Sequence, residues 1–495
     1  MQRRRFVQTL SAGTLLGPMM PLRLLAQSGS TIDAGEFLKL DGKPEDQAFE
    51  ALIAKLRTTS GPKVVRFPTG QRTLALAGGH MFDLPSDTRW DFGRTTVRYD
   101  GTIEGNSVLI RFGAKSEVLG MNLMLASSAH CDRLVTFVED TLVDRLQVSA
   151  ERQFANGGND NSDGLIQVRG SRVRMTACSI AGVDRPVAII GSGAKPGEMA
   201  ALVDVRVSDM RLRQFVCGML VHNTQDCLID GLVAETKSSN ARTDPGHNAV
   251  LAARVQNFVL QKFRIEDSGE HAIRIGGSTN PNEAPNKNIR ISDGTIRRPG
   301  KCGVKFWSAG KAEDVADAAV VGATVRGLSI FDCGFGGKIS VNEDAVRLEV
   351  VNDFTVEDIK AAADKSAASC HDVVYLAGCG NGQVRNVTAD RAVRSAVYIT
   401  ETLGAGRSAP VGSIRGSDIR STNHRGDLVH LELPTQAAGP FDFSKLSAQG
   451  GVSFVGGNAP NAVGESRFDG KADRLSGPMN ALNGDKRKLR VTGGR

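Results

Sequence analysis

Ten short segments of the chain share one pattern of apolar and polar positions. They are Leu165-Ile-Gln-Val, Val187-Ala-Ile-Ile, Gly218-Met-Leu-Val, Ala249-Val-Leu-Ala, Ala272-Ile-Arg-Ile, Gly303-Val-Lys-Phe, Ala345-Val-Arg-Leu, Val373-Val-Tyr-Leu, Ala396-Val-Tyr-Ile and Leu428-Val-His-Leu. Successive starts lie about 22 to 42 residues apart, and Gly, Asn, Asp and Ser fill the intervals. Short alternating strands repeated at such a period, with turn residues between, predict a solenoid whose coils each pack on their neighbours. The second and fourth residues of a segment are mostly aliphatic, and a period of two sends them inward. The third residue then faces out. Down the stack this outward column reads Gln167, Ile189, Leu220, Leu251, Arg274, Lys305, Arg347, Tyr375, Tyr398 and His430. Two of the chain's three tyrosines stand side by side in it, beyond three consecutive cations. Such a column has the makings of a binding face.

Other elements frame the repeat. Pro44-Glu45-Asp46 opens a run with Ala48, Leu52, Ile53 and Leu56 at helical spacing, and Gly61 follows its end. A helix near residues 45–57 is therefore expected to cap the open end of the solenoid, covering its strand edges and apolar interior. Val64-Val-Arg-Phe-Pro-Thr-Gly70 begins the strands, and Leu84-Pro-Ser-Asp-Thr-Arg-Trp-Asp-Phe-Gly93 forms a further coil. After Leu433 the chain turns rich in Gly, Pro, Ser and Ala. Residues 434–495 read as a C-terminal cap with a basic tail that includes Lys486-Arg487-Lys488. The expected organisation is a targeting segment over 1–26, the solenoid with its cap over 33–433, and the terminal region beyond.

The targeting segment rests on Arg3-Arg4-Arg5-Phe6-Val7, which resembles a twin-arginine signal. A weakly apolar stretch runs from Thr9 to Leu22, and Leu24-Leu25-Ala26 offers a cleavage site before Gln27. The alternative is a basic start on an ordinary secretory signal. Either reading exports the protein, to a periplasmic or extracellular location. No later run reaches the roughly 18 apolar residues of a membrane span.

Composition adjusts this picture in three ways. Aromatic content of 5% with 56 glycines suits thin coils better than a globular enzyme with a thick core. A net charge of +7 is a modest excess, and no Lys/Arg block carries interleaved aromatics, so nucleic acid is not the expected partner. A basic balance with a cationic groove points to an acidic ligand such as a uronate-containing glycan. Eight cysteines in an exported chain raise the question of disulfides, and Cys370 and Cys379, which flank one segment, are the best-placed pair. Cys178, Cys217, Cys302 and Cys333 read as small buried residues in a narrow coil. No cysteine–histidine cluster has zinc-site spacing.

The helix, the strand ending in Phe67-Pro68-Thr69-Gly70 and the coil ending in Asp91-Phe92-Gly93 together resemble the start of pectate-lyase-like right-handed parallel β-helices. Gly269-Glu-His-Ala-Ile-Arg-Ile-Gly-Gly-Ser278 and Gly303-Val-Lys-Phe-Trp307 are similar to two successive coils of the polygalacturonase branch. The resemblance spans residues 35–435. It implies an all-β, single-stranded parallel β-helix with an N-terminal helical cap, active on polysaccharide.

Positions four before the outward residues add Asp163, Arg185, His247, Glu270, Lys301, Glu343, His371 and Arg394 beside the column. Positions two beyond it add His222, Trp307, Glu349 and Glu432. Coils stack about 4.8 Å apart, so Arg274, Lys305 and Arg347 could share one anionic ligand. Equally, they could pair with Glu270, Glu343 and Glu349 as a charged face. Trp307, Tyr375 and Tyr398 suit the faces of sugar rings. The residues singled out for substrate contact are Trp307, Tyr375, Tyr398, Lys301, Glu349 and His430.

Three chemistries fit such a groove. Elimination from a uronate chain needs a cation to neutralise the sugar carboxylate, a base for the C5 proton and an acid for the leaving oxygen. Lys305 between Arg274 and Arg347 supplies that set, because flanking cations favour a neutral amine. His247, His271 and Tyr375 are alternative bases or acids. The resemblance implies Lys or Arg in these roles, with calcium in some members, but no carboxylate cluster in the sequence marks a calcium site, so no cofactor or metal is expected. Lys237-Ser238 is a weak match to a lysine–serine motif of alginate and dermatan lyases. Hydrolysis needs two carboxylates about 5 to 10 Å apart. The polygalacturonase pattern is met by Asn161-Ser162-Asp163-Gly164 and Gly269-Glu270-His271 but lacks its paired aspartates. Glu270 with Glu343 or Glu349 is the substitute pair. The third reading is a non-catalytic glycan-binding or export-assembly protein, and an epimerase would use nearly the elimination toolkit. Asp344, Asp372 and Asp427 recur just before their segments and read as turn caps.

Overall fold

The computed structural model of the chain describes residues 29–39, 43–103, 107–156, 164–192, 202–236, 246–276, 286–307, 320–335, 339, 343–403, 408–422, 426–434, 438–448, 453–460, 465–472, 481–483 and 489–494. The targeting segment, Asp163, Lys237-Ser238 and Lys486-Arg487-Lys488 lie outside them.

Period-two patterning does build a right-handed parallel β-helix. All the strand–strand ladders between the described strands are parallel and join one coil to the next. On the sheet carrying the ten segments, Ile166, Val187, Met219, Val250, Ile273, Val304, Val346, Val374, Val397, Val429 and Val455 stand in one register. Their inward side chains, with Ile275, Phe306, Leu348, Leu376, Ile399 and Leu431, belong to one continuous core running from Ile32 to Phe468. Aliphatic stacking along the axis supplies the hydrophobic term, since each inward side chain is shielded by its equivalents above and below.

Along the middle coils two corners are turned by single residues in the left-handed region. Asp204, Asp226, Asn257, Asn288, Gly322, Asp353 and Asn381 form one such file, and Asp209, Gly231, Lys262, Asp293, Gly327, Asp358 and Asn386 the other. Asp, Asn and Gly tolerate this backbone best, which explains why these types fill the intervals between strands. Their side chains also ladder: Asn288 Nδ2 donates to Asn257 Oδ1 at 2.9 Å, and Asn257 Nδ2 to Asp226 Oδ1 at 2.7 Å.

Helix Asp46–Thr58 buries Phe49, Leu52, Ile53 and Leu56 over the first coils, as the apolar spacing predicts. Phe49 meets Phe82 edge-on at 4.9 Å between ring centroids. At the other end the ladder runs on. Coils continue past Leu433, with strands Phe441–Ala448, Ser453–Asn458, Ser466–Ala472, Ala481–Asn483 and Leu489–Gly494 each pairing in parallel with the coil before. The described residues beyond Leu433 thus extend the same ladder; Ser453-Phe-Val-Gly-Gly-Asn458 holds it through its backbone while lacking most of the aliphatic signal. The eight cysteines are all free thiols, Cys370 and Cys379 included. Burial pushes the Cys379 thiol up to about 12, so it behaves as a small apolar filler. No described helix is long and apolar enough to cross a membrane.

Candidate active site on the outward column

One segment sits a residue out of the expected register. Ala188, not Ile189, pairs with Gln167 and Leu220 in the outward column, while Ile189 pairs with Val221 and is fully buried. The column therefore runs Gln167, Ala188, Leu220, Leu251, Arg274, Lys305, Arg347, Tyr375, Tyr398, His430. The three cations are consecutive, as are the three rings.

The cations do not stand bare. Arg274 stacks on Trp307, 4.6 Å from its ring centroid, and its Nη1 reaches Glu270 Oε2 at 3.4 Å. Glu270 also accepts from Lys301 Nζ at 3.0 Å and from the Gly246 N–H at 2.9 Å. Burial works against its ionisation, but the Gly246 N–H, Lys301 and Arg274 outweigh it and hold its carboxyl below the usual range. Arg347 is 4% exposed and is fixed on three sides. Its Nη1 meets Asp344 Oδ2 at 2.9 Å, its Nε meets Glu349 Oε1 at 2.7 Å, and its guanidinium lies 3.8 Å over Tyr375. Lys305 is the loosest of the three, its Nζ 4.0 Å from the Glu349 oxygen that Arg347 already holds. The pairing with Glu270 and Glu349 anticipated from sequence is present, and Asp344 adds a further partner for Arg347.

Beyond the cations the rings form a stack. Tyr375 and Tyr398 are parallel at 5.3 Å and 11°, and Tyr398 and His430 at 4.9 Å and 9°. Arg394 lies 3.4 Å over Tyr398. The two tyrosines are not free rings on a surface: each is 8% exposed, and Leu403 and Ala409 pack with them in a small apolar cluster outside the main core. The Tyr375 hydroxyl donates to the Thr402 carbonyl at 3.4 Å, and burial raises its pKa so that it keeps its proton. At the end of the stack His430 Nδ1 lies 2.6 Å from Asp427 Oδ2, with Glu432 at 3.4 Å from Nε2. Burial opposes its charge, but the two carboxylates win and raise its pKa.

A second file lies three residues before the outward one: Asn248, His271, Cys302, Asp344, Asp372, Ser395 and Asp427. His271 is fully enclosed. Its Nδ1 accepts the Cys302 N–H at 3.1 Å and its Nε2 is 3.5 Å from Glu270. Burial, with Lys305 and Arg274 nearby, keeps the imidazole neutral well below its ordinary range. Asp344 and Asp372, read from sequence as turn caps, prove to be a buried carboxylate pair on adjacent coils. Asp344 Oδ1 does accept the Asp372 N–H at 3.1 Å, so the capping role is real, but only part of the arrangement. Burial and the neighbouring Asp372 charge push Asp344 up to about 7. Asp372 is bound by Arg394 Nε at 3.0 Å and by His371 Nδ1 at 3.1 Å; against the effect of burial, these contacts keep it ionised. Repetition of Asp at one offset before the segments was the only sequence signal for this pair.

Asp344, His371 and Asp372 are close enough to share an ion. Their oxygens are already committed to Arg347, Arg394 and backbone donors, and two arginines against the cluster disfavour a divalent cation. Of the remaining sequence candidates, His247 lies at the turn before Asn248, where its carbonyl accepts the Glu270 N–H at 2.9 Å. Glu343 is buried and accepts the His371 N–H at 2.9 Å through its carbonyl. His222 sits two beyond Leu220, paired with Ile190 and Ala253, and Arg185 lies two coils before Asn248 in the file three residues ahead of the outward column.

No protein-family model matches the chain, and no curated protein matches it. Solved structures with similar coils include the A-module of an Azotobacter vinelandii mannuronan C-5 epimerase, at 13% identity and TM-score 0.42 over 94% of this chain and 99% of that one. A periplasmic alginate epimerase aligns at 10% identity and TM-score 0.42 over 93% and 90%. A surface adhesin of Streptococcus pneumoniae aligns at 12% identity and TM-score 0.37 over 94% and 93%. Only this chain's own residues bear on its chemistry.

Proposed function

We propose that the protein is exported and acts on an acidic, uronate-containing polysaccharide by removing the C5 proton of a uronate, with β-elimination as the outcome. The observation that carries this reading is one register: Arg274, Lys305 and Arg347 on consecutive coils, flanked by Trp307 on one side and the Tyr375–Tyr398–His430 stack on the other. Arg274, partly exposed and braced on Trp307, is placed to neutralise the sugar carboxylate, which lowers the cost of carbanion character at C5. Lys305, the cation least committed to a partner, is the favoured base. In the elimination its nitrogen takes the C5 proton, the C5–H electrons become the C4–C5 double bond, and the C4 oxygen leaves with a proton from an acid. Tyr375, whose hydroxyl keeps its proton, is the candidate acid. Arg347, held by Asp344 and Glu349, acts as a positioning residue that sets the field around Lys305. Returning the proton to the opposite face of C5, without loss of the C4 oxygen, would instead give epimerisation from the same groups.

Hydrolysis has one arrangement in its favour, the Asp344 carboxyl raised by burial beside Asp372, whose contacts with His371 and Arg394 hold it low. Both carboxylates are wholly covered and arginine-bound, and Glu270, the other nominated acid, is ionised. Screening the purified protein against uronate polysaccharides decides between these. Elimination gives a near-ultraviolet chromophore that Lys305→Ala abolishes. New reducing ends without the chromophore, lost on Glu270→Ala or Glu349→Ala, would favour hydrolysis. Binding with neither product would mark a non-catalytic glycan-binding module.

A further inference from the structure

The outward column is open over only part of its length. Leu220, Leu251, Arg274 and Lys305, on consecutive coils, are each partly exposed. Before them Gln167 and Ala188 are buried, and after them Arg347, Tyr375 and Tyr398 are buried too. All of these side chains point away from the coil, so a buried one has something lying on it. At the upstream end the cover is the turn at Gly164, where an added Cβ would come 2.7 Å from the Ala188 methyl. At the downstream end it is a hairpin. Thr402 pairs antiparallel with Ser408, whereas the strand ladders around them are parallel. The Ala409 N–H donates to the Glu401 carbonyl at 2.8 Å, and the Thr402 N–H to Thr400 Oγ1 at 3.0 Å. Leu403 and Ala409 pack with Tyr375 and Tyr398, while Thr402 and Ser408 are exposed. The hairpin leans back towards the cations. Ala409 rests on Gly378, just after Tyr375's own strand, where an added Cβ would come 2.5 Å from the Ala409 Cβ.

We infer that this hairpin ends the groove, so that the protein takes the end of a glycan chain and not its interior. The inference rests on the groove holding an acidic glycan, and it adds where on the chain the reaction falls. From Leu220 to Lys305 is three coil spacings, about 14 Å, which holds a short run of sugars. The reacting sugar, between Arg274 and Lys305, lies at the downstream limit of this window. One coil past Lys305 stands Arg347, pinned against Tyr375 by Asp344 and Glu349, with the hairpin over the tyrosine behind it. The tyrosines offer no free face to carry a sugar further, because Arg347, His430 and each other occupy their faces. A long chain therefore has no path onward along the column, and the fragment split off on that side is a mono- or disaccharide.

Length dependence of binding tests this without requiring turnover. The probes are mannuronate and galacturonate oligomers of defined length and the corresponding polymers, titrated against the full chain in moles of glycan chain. Recognition of an end predicts affinity that rises until the window is filled and is flat thereafter. Recognition of the interior predicts that a tenfold longer chain binds about tenfold tighter, because affinity then follows the number of sites. On a polymer that is cleaved, the first turnovers should release mono- or disaccharide, and viscosity should fall well after the chromophore appears. Leu403→Asp, which places a charge under the hairpin, should bring back the dependence on length. Gly378→Ala, which pushes Ala409 off the coil, opens the same hairpin from below should the first variant not fold. Parent affinity that climbs in proportion to chain length, or early products that are long oligomers, would overturn the assignment and leave the uronate reading standing. Affinity that stays flat in both folded variants would overturn the hairpin as the barrier, and no binding of any uronate probe would overturn both readings.

Discussion

The outward column is one geometric object with two chemically different halves. From Gln167 to Leu251 it carries an amide, a methyl and two leucines, and its neighbouring file offers Asn248. From Arg274 to His430 it carries three cations and three rings, with carboxylates on both sides. Both halves sit on the same ladder, with the same inward valines, isoleucines and methionine beneath. The coil therefore fixes positions and leaves the outward chemistry free. Stability along the sheet comes from the inward file, whereas the outward file holds groups that a fold alone does not require, and some that cost stability. Asp344 and Arg347, both buried, are the clearest case: an ion pair of this kind contributes little net stability, yet removing one partner leaves a buried charge.

The comparison breaks most visibly at Arg347. Arg347→Ala should destabilise the chain by about 3–5 kcal/mol, since Asp344 and Glu349 lose their buried partner. Gln167→Ala in the upstream half should stay near about 1 kcal/mol. Urea melts of both variants check this, and equal losses would erase the distinction between the halves. Ile273→Ala, on the inward side of Arg274's own strand, should cost about 2–5 kcal/mol through the cavity it leaves. Leu251→Ala, partly exposed, should cost far less by the same melt.

Smaller effects sharpen the downstream half. Tyr398→Leu removes an aromatic contact on each side and should cost about 0.5–1.5 kcal/mol beyond lost area. His430 adds a pH signature. Its folded pKa is raised, so the stability from its charged pairing with Asp427 and Glu432 is fully present below the ordinary histidine value and fades as pH rises through the raised one. The gap in melting temperature between the parent protein and His430→Gln should therefore be wider at pH 5.5 than at pH 9. A gap independent of pH would mean that the imidazole is not charged in the fold.

Much of the fold was legible because the inward file obeys a strict period and the turns draw on Asp, Asn and Gly. The register failed only at Val187-Ala-Ile-Ile190, where four apolar residues in a row carry no polar marker for the outward side. The last coils escaped notice for the opposite reason, since Gly456 and Gly457 hold backbone ladders with little apolar patterning. The cations and rings of the column were readable from strand alternation, whereas their partners were not. Asp344 and Asp372 are 28 residues apart in a coil whose length varies from turn to turn, and only the observed register makes them neighbours. Nor could periodicity foresee that Leu403 and Ala409 would close over Tyr375 and Tyr398.

The central claim is that Lys305 takes the C5 proton of a uronate held by Arg274. Incubating a uronate polysaccharide with the full chain in deuterated water, and following C5 by NMR, tests it whether the product is unsaturated, epimerised or returned unchanged. The account predicts loss of the C5 proton, to a double bond or to deuterium, with the parent protein. It predicts a fall of about 10²- to 10⁴-fold in that rate for Lys305→Ala, while the fold, read by its melt, is kept. Full C5 exchange by Lys305→Ala would contradict the assignment of the base.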